Sequence, residues 1–241
     1  MNDSIAAQKL SSPIDLIKRS VSIFFERKNL VYFLKIYAFL LPFTVFSLIQ
    51  DRFFDFSAQD ASDPTQFFSK YAWMILPAVI IAIAGLVFSF WVRVAGIFAI
   101  DKVVSGMVLP IKETFGTAWK MLFKFSLLDI ILGMVTVIGF ILLIIPGFIF
   151  LIWFLFSEFE LVTKGTGIRQ SMSNSKKLVS GRFWAVTGRL LVFFLFMSLI
   201  SIILSLMPFG IGSVLNTLGG PLFAIPFFLL YKELSSTTQL V

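Results

Sequence analysis

The sequence predicts an all-α membrane protein, a polytopic helical bundle of six transmembrane helices with three cytoplasmic amphipathic helices. Of its 241 residues, 58% are hydrophobic and only 14% are charged, whereas soluble domains carry about 25% charged residues. A soluble fold could not hide so much apolar surface, because its outside must be wetted. The second observation is that basic residues concentrate in alternate connectors between long apolar runs, as in membrane proteins.

The first predicted element is an amphipathic helix over residues 12–28. Ser12 is a suitable N-cap, and Pro13 suits the first helical position. The apolar side chains of this segment share one predicted helix face: Ile14, Ile17, Val21 and Phe24. The polar stretch before it has no short apolar core, so no cleavable signal peptide is predicted.

Two spans with a polar loop between them follow. The first runs over residues 30–49, and about 20 helical residues are enough to cross a ~30 Å hydrocarbon core. Pro42 predicts a kink in its far half. A polar loop covers residues 50–70, and the second span covers 71–92, with an extension to residue 100 left open.

The middle of the chain predicts a second amphipathic helix and a tight pair of spans. The amphipathic helix covers 110–124, and the third span covers 126–145. Pro146 and Gly147 predict a very short turn, and the fourth span covers 147–163.

The last third predicts an amphipathic connector over 165–182, a fifth span over 183–206 and a sixth over 214–231. The segment Gly219-Gly220-Pro221, and Pro226 after it, predict interruptions of the sixth span. The whole chain, 1–241, is predicted to be one integral membrane domain. The order amphipathic helix, span, span recurs three times, which indicates a candidate threefold repeat.

Charge predicts the orientation. Of the 20 Lys and Arg residues, all but Arg52 and Lys70 fall on one predicted side of the membrane. The positive-inside rule therefore predicts a multi-pass protein of the cell membrane (inner or plasma) with cytoplasmic N- and C-termini. Topology explains the net charge of +7, so nucleic acid is not an expected partner.

Three short motifs in the second half carry a family resemblance. They are Ile145-Pro146-Gly147, then SKKLVSGRFW over residues 175–184, then Leu230-Tyr231. This region, about 139–234, resembles the YciC-like and glycerophosphoryl diester phosphodiesterase membrane-domain family of uncharacterised prokaryotic integral membrane proteins. The chain departs from that pattern at Lys164, where the family tends to be acidic, and at Asn174, where it is often basic. The resemblance implies a membrane domain of largely unknown role and no enzyme activity.

Six ionisable residues form a candidate intramembrane polar site. Charges inside a bilayer are costly and usually face the protein interior or water. Its depth in the bilayer makes Lys35 a candidate partner of the fourth-span acids Glu158 and Glu160. The candidate cations for Asp129 are Arg93 and Arg189. The set is Glu158, Glu160, Lys35, Asp129, Arg93 and Arg189. The functional interpretation is a site coupled to protons or cations, and the favoured alternative is structural ion pairing.

A basic cluster lies on the connector before the fifth span. Topology alone accounts for it, and contact with anionic lipid headgroups is a compatible interpretation, worth about 1 kcal/mol per residue near the surface. The candidate headgroup contacts are Arg169, Lys176, Lys177 and Arg182.

The sequence contains no cysteine and no histidine, which removes the commonest nucleophiles, general bases and metal ligands. We therefore predict no catalytic residues, no metal site, no cofactor and no enzyme activity. The leading prediction is a non-catalytic protein that organises the membrane, interacts with lipid or binds partner proteins. A small solute or ion transporter or channel using the buried carboxylates is the alternative, and a membrane enzyme ranks third. The expected partner is the lipid bilayer, with anionic lipids, protein partners and homo-oligomerisation left open.

Overall fold

The computed structural model describes residues 10–53 and 64–238, and this part of the chain is mainly helical, with no strand. Six of its helical segments are long and apolar enough to cross a membrane. The predicted all-α membrane bundle is therefore confirmed, and the protein is a multi-pass membrane protein. Residues 54–63, the middle of the predicted polar loop, lie outside the described part.

Helix α1, Pro13–Phe25, begins at the predicted position. The Ser12 hydroxyl accepts a hydrogen bond from the Asp15 backbone N–H at 3.1 Å, which satisfies one of the unpaired donors of the first turn. The helix ends before Glu26 rather than at residue 28. Its buried residues are Leu16, Ser20 and Phe24, whereas Ile14 is 58% exposed, so the buried face is rotated from the predicted one.

The first span has three parts: α2, Arg27–Tyr37, a 3₁₀ turn at Ala38–Leu40, and α3, Leu41–Phe53. Pro42 has no N–H to donate, and its ring crowds the carbonyl four residues earlier. The chain tightens into the 3₁₀ turn just before it. Helix α3 also extends past residue 49, so the polar loop begins later than the sequence predicts.

Helix α4, Pro64–Val104, is one continuous helix of 41 residues. The predicted second span, 71–92, is therefore too short at both ends, and the extension left open to residue 100 exists and continues to Val104. A charged residue does not end the helix at position 93, because arginine is a good helix former.

Helix α5, Ile111–Leu142, has 32 residues and merges the predicted amphipathic helix with the third span. The predicted boundary near residue 125 is wrong, because lysines change the polarity of a helix face without interrupting its backbone. The turn that follows is at Leu143, which is extended, and α6, Ile144–Phe154, starts directly after it. Pro146 lies in the first turn of α6, where its missing N–H would have no helical partner.

The hairpin of α5 and α6 is closely packed at one glycine pair. A Cβ atom added at Gly139 would lie 2.9 Å from the Gly147 Cα atom, whereas one added at Gly133 would meet nothing within 4 Å. A residue without a Cβ is what allows the two backbones to approach this closely.

The predicted fourth span is broken after Phe154. Helix α7, Ser157–Lys164, continues it and ends at Gly165, whose φ of 65° is left-handed and suits glycine. Helix α8, Ile168–Val179, occupies the predicted connector, and α9, Phe183–Ser205, is the fifth span. Of the three predicted amphipathic helices, the first and third are separate helices, and the candidate threefold repeat stays a prediction.

The sixth span is also broken, at Gly219. Helix α10, Ile211–Leu218, precedes the break, and α11, Gly220–Thr238, follows it. The break lies at one of the two predicted interruptions. The other, Pro226, lies inside α11 without ending it.

Polar contacts gather at one end of the bundle, which we call the basic end. It comprises α1, the α4–α5 connection, α8 and the C-terminal turns of α11, joined by contacts such as Lys232 to Asp101 and Arg182 to Thr237. The core lies towards this end. In α4, for example, the buried apolar residues run from Val92 to Val103, whereas Leu76 is 68% exposed.

Candidate functional site

Three predicted site residues from three helices meet in one ion cluster, which we call the Arg93 cluster. Arg93 on α4 donates through Nη2 to Glu158 Oε1 of α7 at 2.6 Å, and through Nη1 to Asp129 Oδ2 of α5 at 3.2 Å. A planar guanidinium suits this bridging because its donors point in fixed, divergent directions. The cluster therefore joins α4, α5 and α7.

The Arg93 cluster has one cation and two carboxylates, so its formal charge is negative when both acids are ionised. The side chains of Glu158 and Asp129 are 14% and 24% exposed, and that of Arg93 is 49% exposed. The guanidinium carbon also lies 5.6 Å from the centre of the Phe125 ring, within the range of a cation–π contact.

Two cavities meet at Glu158. One has a volume of about 260 Å³ and is also lined by Tyr37, Arg93 and Phe227. The other has a volume of about 370 Å³ and is also lined by Asp129. Apart from the cluster residues, most of the side chains that line both cavities are apolar.

Glu160 forms a second, separate network. Its side chain is fully buried and accepts hydrogen bonds from Lys164 Nζ at 2.7 Å, Tyr231 Oη at 3.0 Å and Asn174 Nδ2 at 2.9 Å. These bonds satisfy a buried carboxylate and tie α7 to α8 and α11. Lys164 and Asn174 are also the two positions at which the sequence departs from the pattern it resembles, and both contact the same acid.

Lys35 does not pair with Glu158 or Glu160, so that prediction is wrong. Its side chain lies on an exposed face of α2, while the two acids pair with Arg93 and Lys164. The depth of a residue along a span does not show which way its side chain points, and the prediction depends on depth alone.

Arg189 does not contact Asp129. Its guanidinium donates to three backbone carbonyl oxygens, those of Ser11 at 2.9 Å, Leu10 at 2.8 Å and Ala185 at 2.7 Å. It thereby fastens the segment before α1 to α9.

Two acids outside the predicted site organise the basic end. Asp101 is 8% exposed and pairs with Lys232 at 3.0 Å. Glu233 accepts from the Ser11 hydroxyl at 2.6 Å and pairs with Arg19 at 3.6 Å. The one signal for them in the sequence is their position at the end of an apolar run, directly after it for Asp101 and after Lys232 for Glu233, which topology alone also explains.

The predicted headgroup residues divide into two groups. Arg169, Lys176 and Lys177 are exposed on α8 and have no carboxylate partner among the described residues; Lys176 Nζ lies 4.4 Å from the centre of the Trp153 ring. Arg182 instead donates to the Thr237 hydroxyl at 2.6 Å and is partly buried.

The opposite face of α8 is buried against the bundle through Ser171, Ser175 and Leu178. Ser175 Oγ donates to the Trp153 carbonyl oxygen at 2.7 Å and accepts from the Phe156 N–H at 3.1 Å. It therefore satisfies backbone groups at the break between α6 and α7, and it fixes which face of α8 points outward.

Comparison with known protein families identifies the family of this chain. The model of a family described as a domain of unknown function, DUF7847, matches residues 53–240. Neither a curated protein nor a solved structure matches the chain.

Proposed function

The chain belongs to the DUF7847 family, and we propose that it is a non-catalytic membrane protein that gathers anionic lipid headgroups at the basic end of its bundle. One observation carries the proposal. The acids inside the bundle pair with cations of the same bundle, whereas the cations of α8 face outward without acidic partners in the described part of the chain.

The internal ion pairing can be followed acid by acid. Among the acids whose side chains the structure describes, every one that is buried or partly buried pairs with a cation. The pairs are Asp101 with Lys232, Asp129 and Glu158 with Arg93, Glu160 with Lys164, and Glu233 with Arg19. The surplus positive charge therefore lies on the surface, where a negatively charged membrane would attract it.

The geometry of α8 suits this attraction. Its buried face fixes the helix on the bundle, so Arg169, Lys176 and Lys177 project from one preformed surface. Each is worth about 1 kcal/mol near an anionic leaflet. The sum is an upper limit of about 3 kcal/mol, which salt reduces because exposed charges are screened over ~10 Å.

The experiment compares the lipids around the full chain in vesicles, using spin-labelled phosphatidylglycerol and phosphatidylcholine. The wild type should prefer phosphatidylglycerol. The variant Arg169→Gln, Lys176→Gln, Lys177→Gln should lose at least about fivefold of that preference, the equivalent of one such contact. The matched control, Arg169→Lys, Lys176→Arg, Lys177→Arg, keeps the charge and should keep the preference. An unchanged preference in the neutral variant would overturn the proposal.

We also propose that the basic end faces the cytoplasm at the cell membrane, following the positive-inside rule. The two tryptophans of α4, Trp73 and Trp91, support a bilayer position between them. They are 18 residues apart, about 27 Å along a helix, which is close to the ~30 Å hydrocarbon core. Tryptophan is enriched at both membrane interfaces.

Single cysteines can test this orientation, because the chain has none of its own. Ser173 is exposed on α8 at the basic end, and Thr65 is exposed at the opposite end of α4. In intact cells, an impermeant maleimide should label Thr65→Cys and leave Ser173→Cys unlabelled until the cells are opened. Labelling of Ser173→Cys in intact cells would reverse the orientation.

A second candidate function, a proton or cation pathway, is favoured by one observation: Glu158 lines both of the cavities described above. The position of Arg93 counts against a pathway. Arg93 lies two residues beyond Trp91, which places the cluster near an interface rather than in the middle of the bilayer. Vesicles loaded with a pH-sensitive dye would decide. Proton uptake that needs the full chain and is lost in Glu158→Gln, but not in Lys35→Gln, would support a pathway. The absence of proton uptake by the wild type would exclude a proton pathway.

A further inference from the structure

We propose that a groove at the start of α5 binds one anionic phospholipid molecule. The aromatic groove, as we call it, has a volume of about 550 Å³ and lies between the 3₁₀ turn of the first span, α4 and α5. Its lining includes four aromatic side chains and two lysines: Phe39, Trp91, Phe115, Trp119, Lys112 and Lys120.

The aromatic wall is held in place before any ligand arrives. The indole N–H of Trp91 donates to the Phe115 carbonyl oxygen at 3.0 Å. The Trp91 ring centre lies 4.9 Å from that of Phe115 and 5.6 Å from that of Trp119, both in edge-on arrangements. The Phe39 ring centre lies 4.7 Å from that of Phe115. An apolar wall whose rings already pack on one another can bind an acyl chain with less loss of side-chain entropy.

The middle of the groove is open at Gly116. A Cβ atom added there would meet nothing within 4 Å, so a larger side chain could occupy the space that we assign to lipid. Glycine inside a helix is less stable than alanine would be. At this position it leaves the groove clear.

The two lysines supply the charge complementarity. Lys112 and Lys120 are exposed and lie about 12 Å apart along α5 by the helical rise. Neither has a carboxylate partner among the described residues, although Glu113 is next to Lys112 in the chain. A phosphate group can therefore be bound by ammonium donors at the rim.

The depth of the groove selects an amphiphile. Trp91 marks the interface proposed above, so the aromatic rings lie where acyl chains meet headgroups. A free anion would leave the rings uncovered, and a plain hydrocarbon would leave the lysines without a partner. An anionic phospholipid satisfies both. The inference rests on the proposed function and deepens it by adding one saturable site to the diffuse attraction of α8.

Native mass spectrometry of the full chain in detergent tests the site, with phosphatidylglycerol, phosphatidylcholine and inorganic phosphate added separately. The wild type should retain one phosphatidylglycerol molecule at low lipid concentration, and neither of the other two additions should give this occupancy. Gly116→Leu should raise the lipid concentration needed for half occupancy at least tenfold. The leucine side chain would fill the space of the acyl chain, so the lipid would lose part of its apolar contact with the groove. Gly188→Leu on α9, where an added Cβ also meets nothing within 4 Å, is the matched control and should change nothing.

A charge variant keeps the proposal falsifiable if Gly116→Leu fails to fold. Lys112→Gln with Lys120→Gln changes only exposed side chains and should remove the preference for phosphatidylglycerol over phosphatidylcholine at the first bound lipid. Unchanged first-lipid binding in either folded variant would overturn the site. The neutral α8 variant should keep the single bound lipid, so failure of the groove and failure of the α8 proposal are distinguishable.

Discussion

Replacing Arg93 with glutamine should destabilise the bundle through the two carboxylates that it leaves behind. The substitution removes charge-assisted hydrogen bonds of 2.6 Å to Glu158 and 3.2 Å to Asp129. A hydrogen bond to a charged group contributes about 1.5–3 kcal/mol. Because the Arg93 side chain is 49% exposed, solvent reduces this contribution. We expect the free energy of unfolding to fall by about 2–4 kcal/mol in total.

The rescue variant separates charge from packing. Adding Asp129→Asn and Glu158→Gln to Arg93→Gln removes all three charges, and the two amides have nearly the same shape as the carboxylates that they replace. Neutral replacement of an ion pair often restores stability, because no unpaired charge stays buried. The triple variant should therefore come within about 1 kcal/mol of the wild type.

Equilibrium unfolding of the full chain in detergent or bicelles measures both effects. Lys35→Gln, the removal of an exposed cation from the neighbouring α2, is the control and should change stability by less than about 0.5 kcal/mol. Two results would refute the reasoning: an Arg93→Gln variant as stable as the control, or a triple variant no more stable than Arg93→Gln alone.

Single contacts elsewhere in the bundle give three more predictions. Glu160→Gln should lower the free energy of unfolding by about 3 kcal/mol, because an amide cannot accept from all the donors that now surround the buried carboxylate. A loss below about 1 kcal/mol in the same unfolding assay would contradict this prediction. Gly139→Leu should cost more than about 2 kcal/mol by forcing α5 and α6 apart, whereas Gly133→Leu should stay within about 1 kcal/mol, and equal losses would argue against close packing at Gly139. Glu233→Gln should speed exchange of the Ser11 amide hydrogen, which donates to Glu233 Oε2 at 3.1 Å, and unchanged exchange would show that this bond does not protect the amide.

Much of the fold can be predicted because the bilayer imposes simple rules. Apolar runs of about 20 residues predict spans, and the predicted fifth span, 183–206, agrees with the observed helix Phe183–Ser205. Local backbone signals also hold where they are specific. Ser12 and Pro13 begin α1, and the chain breaks at Gly219.

Helix continuity is harder to predict than helix existence. Charged side chains near residues 92 and 125 predict boundaries there. A charge alters the surroundings that a helix prefers, but it leaves the backbone hydrogen bonds intact. Helices α4 and α5 therefore continue through both positions.

The pairing of charges cannot be predicted from spacing along the chain. Arg93 and Glu158 are 65 residues apart, and Glu160 and Tyr231 are 71 apart. Which residues meet depends on the rotation of each helix about its own axis, and a run of apolar residues on all sides carries little information about rotation. Sequence patterns indicate which residues need partners, and packing decides which partners they find.

The backbone of α5 is helical without a break, so the two ends of this helix are mechanically connected. Asp129, which pairs with Arg93, lies inside α5, with about 27 Å of helix back to Ile111 and about 20 Å onward to Leu142. A rigid rod that tilts about this point by about 1 Å at its first turn, on the order of a small helix shift, moves its last turn by about 0.7 Å in the opposite direction. If α5 tilts as one rigid body about Asp129, a displacement of its first turn among the headgroups of one leaflet also moves the hairpin turn on the other side. Spin labels on Lys112 and Leu142 that moved without changing their mutual distance would show that the helix tilts as one rigid body.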